Sequence, residues 1–140
     1  MVDPDILRAK AAAIRHHVAR LRARRPLDVA VLDRDEDARN VVLMDLQQAI
    51  QACIDLAVHT CSHEALGSPE GPAAAFALLA RAGILEDALS IRLAGAAGLR
   101  NVIVHRYGEL VMERLVAQLA AGLADLEGFL AAIQRRRGES

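Results

Sequence analysis

The sequence predicts an all-α protein, an antiparallel bundle of about five helices. Three observations lead there. Hydrophobic residues make up 54% of the 140 residues and aromatic residues only 2%, so the apolar content is mostly Ala, Leu, Val and Ile. Ala and Leu are strong helix formers, and the basic residues are nearly all Arg, with Lys10 the sole lysine. Apolar positions recur at three-four spacing, and no segment alternates as a strand does. At this length the whole chain, residues 1–140, is expected to form one domain that buries a core without staples.

The first helix starts at Asp3-Pro4, a cap residue followed by proline at the first helical position. Ile6, Ala9, Ala13, Val18 and Leu21 are its expected inward face, and Arg25-Pro26 ends it. A mixed-charge connection runs to Asp33. A long second helix starts near Asp35, with Val42, Leu46, Ala49, Ile50, Cys53, Ala57 and Cys61 in one apolar stripe. Gln48, Gln51, Asp55, His59 and Ser62 form a polar stripe that suits solvent or a partner equally. Gly67-Ser68-Pro69-Glu70-Gly71 breaks this helix. A third helix runs from Pro72 to Ala82-Gly83. A fourth begins at Leu85-Glu86-Asp87 and continues through AGAAGLRNVIVH, with Gly108 as its stop. Gly95 and Gly98 cost up to ~1 kcal/mol each inside a helix, which marks a close backbone approach or a weak point. The last helix spans Glu109 to Arg136. Its near-heptad stripe of Val111, Leu115, Leu119, Gly122, Leu126, Leu130 and Ile133 serves a bundle or a coiled-coil oligomer.

The net charge of −1 removes any global electrostatic argument for nucleic-acid binding. Arg20, Arg22, Arg24 and Arg25, and the run Arg135–Arg137, read as solvated helix ends that complement the helix dipole. Cys53 and Cys61 lie roughly 12 Å apart along one helix, too far for a disulfide, and are expected as core thiols in a reducing compartment. The N-terminus MVDPDILRAK lacks the apolar run of a signal peptide, and no uncharged stretch reaches membrane-spanning length. The expectation is a cytoplasmic protein without a membrane partner.

Asp55, His59 and His63 sit four residues apart in succession, with Cys61 nearby, but two helical turns spread the outer pair too far to share one ion. No metal is expected, and this side reads better as a polar face. GSPEG and AGAAGLR neither match a phosphate loop nor follow a strand. That leaves RNVIVHRY, where Arg100, Asn101, His105 and Tyr107 are threaded through valine and isoleucine. Asn101 and His105 share a helix face, whereas Arg100 and His105 differ by about 140° around the axis. A helix end near His105, a long Arg side chain or a second subunit on a two-fold axis would bring them together. Histidine moves protons near neutral pH, and arginine fits phosphate oxygens. The pair suits metal-free RNA cleavage, in which a ribose 2′-hydroxyl attacks the adjacent phosphate. From the residues alone this stands beside a plainer reading: a structural Arg and His, with Tyr107 as an aromatic cap bonded to backbone.

The motif R-x4-H-x-Y, here Arg100-Asn101-Val102-Ile103-Val104-His105-Arg106-Tyr107, resembles that of the HEPN superfamily, and specifically of the HepT-like ribonuclease toxins. The segments LQQAIQACIDLAVH, FALLARAGIL and AGLRNVIVH are similar to the family in the same order, and the resemblance covers residues 5–134. It implies an all-α homodimer whose two motifs meet in a cleft. It implies a metal-independent endoribonuclease toxin acting on single-stranded RNA or tRNA, the substrate being an mRNA or a tRNA, with no cofactor. Arg100 and His105 would be catalytic, Asn101 supporting, and Arg106 an extension of the basic cleft toward RNA. The partner would be an MntA-like nucleotidyltransferase antitoxin that transfers AMP to Tyr107, the only tyrosine, where the added charge would pair with Arg100. Some HEPN-like proteins are instead non-catalytic partners of nucleotidyltransferases, which is the alternative reading.

Overall fold

Asp3 opens the chain's first helix by accepting hydrogen bonds from the backbone N–H of Asp5 at 2.8 Å and of Ile6 at 3.4 Å, with Pro4 following. The structure, a computed structural model, describes residues 3–138. Six α-helices follow one another: α1 (Pro4–Ala23), α2 (Val29–Arg34), α3 (Glu36–His63), α4 (Pro72–Arg81), α5 (Asp87–His105) and α6 (Met112–Gly138). A 3-10 turn, Tyr107–Glu109, joins α5 to α6. The described residues contain no strand, so the all-α expectation holds.

Four details differ from the sequence reading. The inward face of α1 is Leu7, Ala11, Ile14, Val18 and Leu21, not Ile6, Ala9 and Ala13, because only this register puts the large residues Leu7 and Ile14 in line with Val18 and Leu21. The expected connection to Asp33 holds a further helix, α2, capped by Asp28 and anchored by the buried Leu32. α5 ends at His105 through Arg106, with φ −137°, rather than at Gly108, which belongs to the 3-10 turn. α6 starts at Met112 rather than Glu109, and Val111 is 51% exposed instead of buried.

α3 is the central helix. It packs against α1, α2, α4, α5 and α6. Its predicted stripe is buried throughout, and Leu43, Ala52, Ile54, Leu56 and Thr60 are buried as well. Both α3 and α6 are long and apolar enough to cross a membrane by length and composition, and 61% of the apolar window of α3 is buried inside the bundle. Phe76 of α4 meets Phe129 of α6 edge to face in the core, with centroids 5.7 Å apart. Cys53 and Cys61 are buried and free, and burial pushes both thiols up from their ordinary value. Gly83, with φ +78°, closes α4 in the left-handed conformation that glycine adopts without penalty. A Cβ at Gly95 or Gly98 would meet nothing within 4 Å, so neither marks a close backbone approach.

Three of the arginines read as solvated helix ends, Arg20, Arg22 and Arg136, tie helices together. Arg136 grips Glu64 through Nε at 3.0 Å and Nη2 at 2.7 Å, joining α6 to the end of α3. Arg22 pairs with Glu127. Arg20 Nε donates to both oxygens of Asp45 at 2.8 and 3.1 Å, and His17 Nδ1 donates to the same carboxylate at 2.8 Å. Asp45 is only 2% exposed. Burial pushes its carboxyl up, but the hydrogen bonds from His17 and Arg20 outweigh that effect and hold it below the ordinary carboxylate value. Asp45→Ala should therefore cost about 2 kcal/mol at pH 7, because two donors of α1 lose a buried acceptor. A carboxyl lowered in the folded state stabilises fully above its unfolded value, near pH 4, and that stabilisation is lost as pH falls through the folded value. Urea midpoints of wild type and variant should thus differ at pH 7, and the gap should begin to close only as pH falls below about 4 toward the lower folded value; a gap constant with pH would contradict this.

Candidate functional site

The segment RNVIVHRY straddles the end of α5. Arg100 through His105 complete the helix, Arg106 breaks it, and Tyr107 starts the 3-10 turn. Val102 and Ile103 pack inward, with Ile103 6% exposed, so the helix is held by its apolar residues while the polar ones stay accessible. Arg100 is half-buried, and Asn101, His105, Arg106 and Tyr107 are exposed.

These residues are only partly brought together. Arg100 Nη1 donates to Asn101 Oδ1 at 3.1 Å. Arg100 Nε is buried and has no partner among the described residues. An unpaired buried N–H is costly, so Arg100 is held here at some expense to the fold. His105 closes the helix without a hydrogen bond to Arg100, consistent with the 140° offset between these positions on a regular helix, about 100° per residue. Arg106 Nε faces Glu109 Oε2 at 3.3 Å in an exposed pair across the 3-10 turn.

Tyr107 differs most from expectation. Its hydroxyl is bound to side chains of α3, not to backbone. It donates to Asn40 Oδ1 at 2.7 Å and accepts from Arg39 Nε at 2.7 Å. Arg39 is in turn fixed by its Nη1, which donates to the carbonyls of Leu32 at 3.1 Å and Asp33 at 3.3 Å at the end of α2. The Arg39 guanidinium carbon lies 5.5 Å from the tyrosine ring centroid. The arginine beside the hydroxyl is thus Arg39 and not Arg100. The hydrogen bond to Tyr107 holds Arg39 above its ordinary value, more firmly cationic. Sequence reading missed Arg39 and Asn40, which lie 68 and 67 positions from Tyr107. No local pattern in the sequence marks them, because the contact depends on how the helices pack.

The polar stripe of α3 is bonded in part, at Gln51 and Asp55. Asp55 accepts from Lys10 Nζ at 2.9 Å and from Gln51 Nε2 at 2.8 Å. His59 and His63 stack with centroids 5.1 Å apart, and His59 Nε2 is buried without a partner among the described residues. Within those residues no three His, Cys, Asp or Glu side chains converge for a metal ion. An apolar groove of about 540 Å³ runs between α5 and α6 beside the motif, lined by Leu99, Val102, Leu110, Val111 and Leu115 among others.

Comparison with known proteins places the chain in a family. The model of the family "Ribonuclease HepT-like" matches residues 14–133. The chain is 32% identical over 130 residues to the mRNA nuclease HepT of Shewanella oneidensis, covering 93% of this chain and 97% of that protein. Its fold superposes with a TM-score of 0.86, at 32% identity, on the tri-AMPylated Shewanella oneidensis HEPN toxin solved in complex with an MNT antitoxin, covering 95% of this chain and 99% of the toxin. The cytosolic protein YutE of Bacillus subtilis, of unknown function, shares the fold at 14% identity with a TM-score of 0.82, over 96% of this chain and 90% of that one. With the match spanning nearly the whole bundle and the helix end that carries RNVIVHRY, the chain belongs to the HepT-like ribonuclease family.

Proposed function

We propose that this protein is a metal-independent endoribonuclease toxin that cuts single-stranded RNA, and that an MntA-like nucleotidyltransferase antitoxin silences it by transferring AMP to Tyr107. The observation that carries the reading is the intact set Arg100, His105 and Tyr107 at the accessible end of α5 in a chain of this family. Arg100 binds the scissile phosphate and takes up the charge that grows on its oxygens. His105, exposed and free to reach solvent and substrate, moves the proton. Asn101 holds the Arg100 guanidinium through its 3.1 Å bond, and Arg106 adds positive charge toward the RNA strand.

The 140° offset between Arg100 and His105 is resolved in this reading by a homodimer, in which the second copy's motif closes the cleft (about 100° per residue). The apolar groove between α5 and α6, with Val104 39% and Val111 51% exposed nearby, is the surface the second copy covers. Toxin and antitoxin act in the cytoplasm. The support for the antitoxin is that the Shewanella toxin is tri-AMPylated and was solved with an MNT antitoxin.

Purified unmodified protein should cut single-stranded RNA in the presence of EDTA. Co-expression with the nucleotidyltransferase should add AMP-sized mass to Tyr107 and suppress the cut. Tyr107→Phe should take up no AMP and should keep cutting RNA when the nucleotidyltransferase and ATP are present. RNA left intact by unmodified dimer would remove the enzyme reading and leave the alternative, a non-catalytic partner of a nucleotidyltransferase.

A further inference from the structure

Tyr107 is not a free phenol presented on a loop. Its oxygen has three directions for bonding: the O–H and two lone pairs. Asn40 Oδ1 takes the hydrogen at 2.7 Å, and Arg39 Nε occupies one lone pair at 2.7 Å. One lone pair is left, on a residue that is 37% exposed. The hydroxyl is therefore aimed before any partner arrives.

The orientation of Arg39 is the second observation. The side edge of a guanidinium, Nε with Nη2, presents parallel N–H bonds that match two oxygens of a phosphate. In Arg39 the opposite nitrogen, Nη1, is anchored on the Leu32 and Asp33 carbonyls. The Nε–Nη2 edge is turned toward the tyrosine oxygen, and Nη2 makes no hydrogen bond among the described residues. Half of a phosphate fork is used on the hydroxyl and half is open. The anchor runs to α2, a helix that is packed into the core by Leu32, so the fork is held at a fixed place rather than on a swinging side chain.

We propose that Arg39 is the phosphate receiver of the modification site: it positions the Tyr107 hydroxyl for nucleotidyl transfer and then binds the phosphodiester that transfer creates. This rests on the reading that Tyr107 accepts AMP. In the transfer, the tyrosine oxygen attacks the α-phosphorus of ATP and a new O–P bond forms. The bond from that phosphorus to the bridging oxygen breaks, and pyrophosphate leaves with the electron pair. The phenolic proton passes to a base of the nucleotidyltransferase, because the Asn40 amide orients it but does not take it up. As the α-phosphoryl oxygens gain charge, the Nε–Nη2 edge of Arg39 pairs with them. In the product, the single negative charge of the diester rests against a guanidinium fixed to α2, and the modified tyrosine stays folded onto α3. Asn40 is a positioning residue that sets the direction of the O–H.

The test uses the full chain, its nucleotidyltransferase and ATP, with intact mass read over time. Wild type should gain AMP on Tyr107. Arg39→Gln, which removes the charge and both Nη nitrogens, should be modified at least about tenfold more slowly at saturating toxin, the loss of one charge-assisted hydrogen bond in the transition state. The loss should fall on kcat rather than on KM for the toxin. Arg39→Lys, which keeps the charge and loses the fork, should be intermediate, and it serves as the second reading should the glutamine variant fail to fold. Once modified, the Arg39→Gln protein should also lose its AMP faster to added phosphodiesterase than wild type does. Equal transfer rates for wild type and both variants would overturn the assignment of Arg39 alone. So would a change confined to KM, which is the mark of a docking contact. A wild-type chain that takes up no AMP would overturn the parent reading together with this one.

Discussion

His105→Ala and Arg100→Ala should each lower RNA cleavage by the unmodified protein by about 10²-fold or more. The two losses have different physical origins. In the proposed mechanism His105 contributes proton transfer, worth about 10²–10⁴-fold when the group is removed. It sits at the last position of α5 and is exposed, so replacing it removes no packing. In the same proposal Arg100 contributes charge stabilisation, and removing one such donor from the transition state costs about 10²–10³-fold. Its guanidinium is held by Asn101 at 3.1 Å and keeps Nε unpaired, so alanine also removes a buried donor that has no partner among the described residues. Folding stability should therefore change little while activity collapses. Arg100→Lys separates charge from geometry, because an ammonium retains the charge without the planar fork; it should restore only part of the rate. Single-turnover cleavage of a labelled RNA in EDTA, alongside urea denaturation of each variant, reads both quantities. Full activity in either alanine variant would remove that residue from the proposed mechanism.

Phe129→Ala should destabilise the fold by about 3–5 kcal/mol, the cost of truncating a fully buried aromatic. Phe129 is 0% exposed and meets Phe76, itself 1% exposed, at an interplanar angle of 87°. With so few aromatic residues, the remaining core is built from smaller Leu, Ile, Val and Ala side chains, which cannot refill the space of a ring without leaving their rotamers. Phe129→Leu should recover much of the loss. Urea-induced unfolding followed by circular dichroism measures it, and a loss below about 1 kcal/mol for the alanine variant would show that the bundle collapses around the cavity.

Helices were legible in the sequence because their signals are local. A cap such as Asp3 or Asp35 and an apolar repeat such as Val42 to Cys61 act within a few turns, and both are where the sequence predicts. Errors arose where the local signal was weak. α2 is only six residues long, and in α1 the alanines disguised the register of the larger side chains. At the helix end before Tyr107, glycine suggested a stop that Arg106 supplies instead.

The candidate site divides the same way. The residues from Arg100 to Tyr107 are contiguous, so their order and approximate helix angles follow from the chain alone, and they carry the resemblance to the HepT-like family. By itself, then, the sequence determined an all-α bundle, the family and the motif. Only the tertiary structure decided the surroundings of Tyr107. The packing of α5 on α3 brings Arg39 and Asn40 to its hydroxyl, and the packing of α2 on α3 fixes Arg39 by two backbone carbonyls. Hydrogen bonds of about 3 Å between residues 68 positions apart leave no periodic trace, because they depend on where whole helices come to rest and not on the spacing of residues within one.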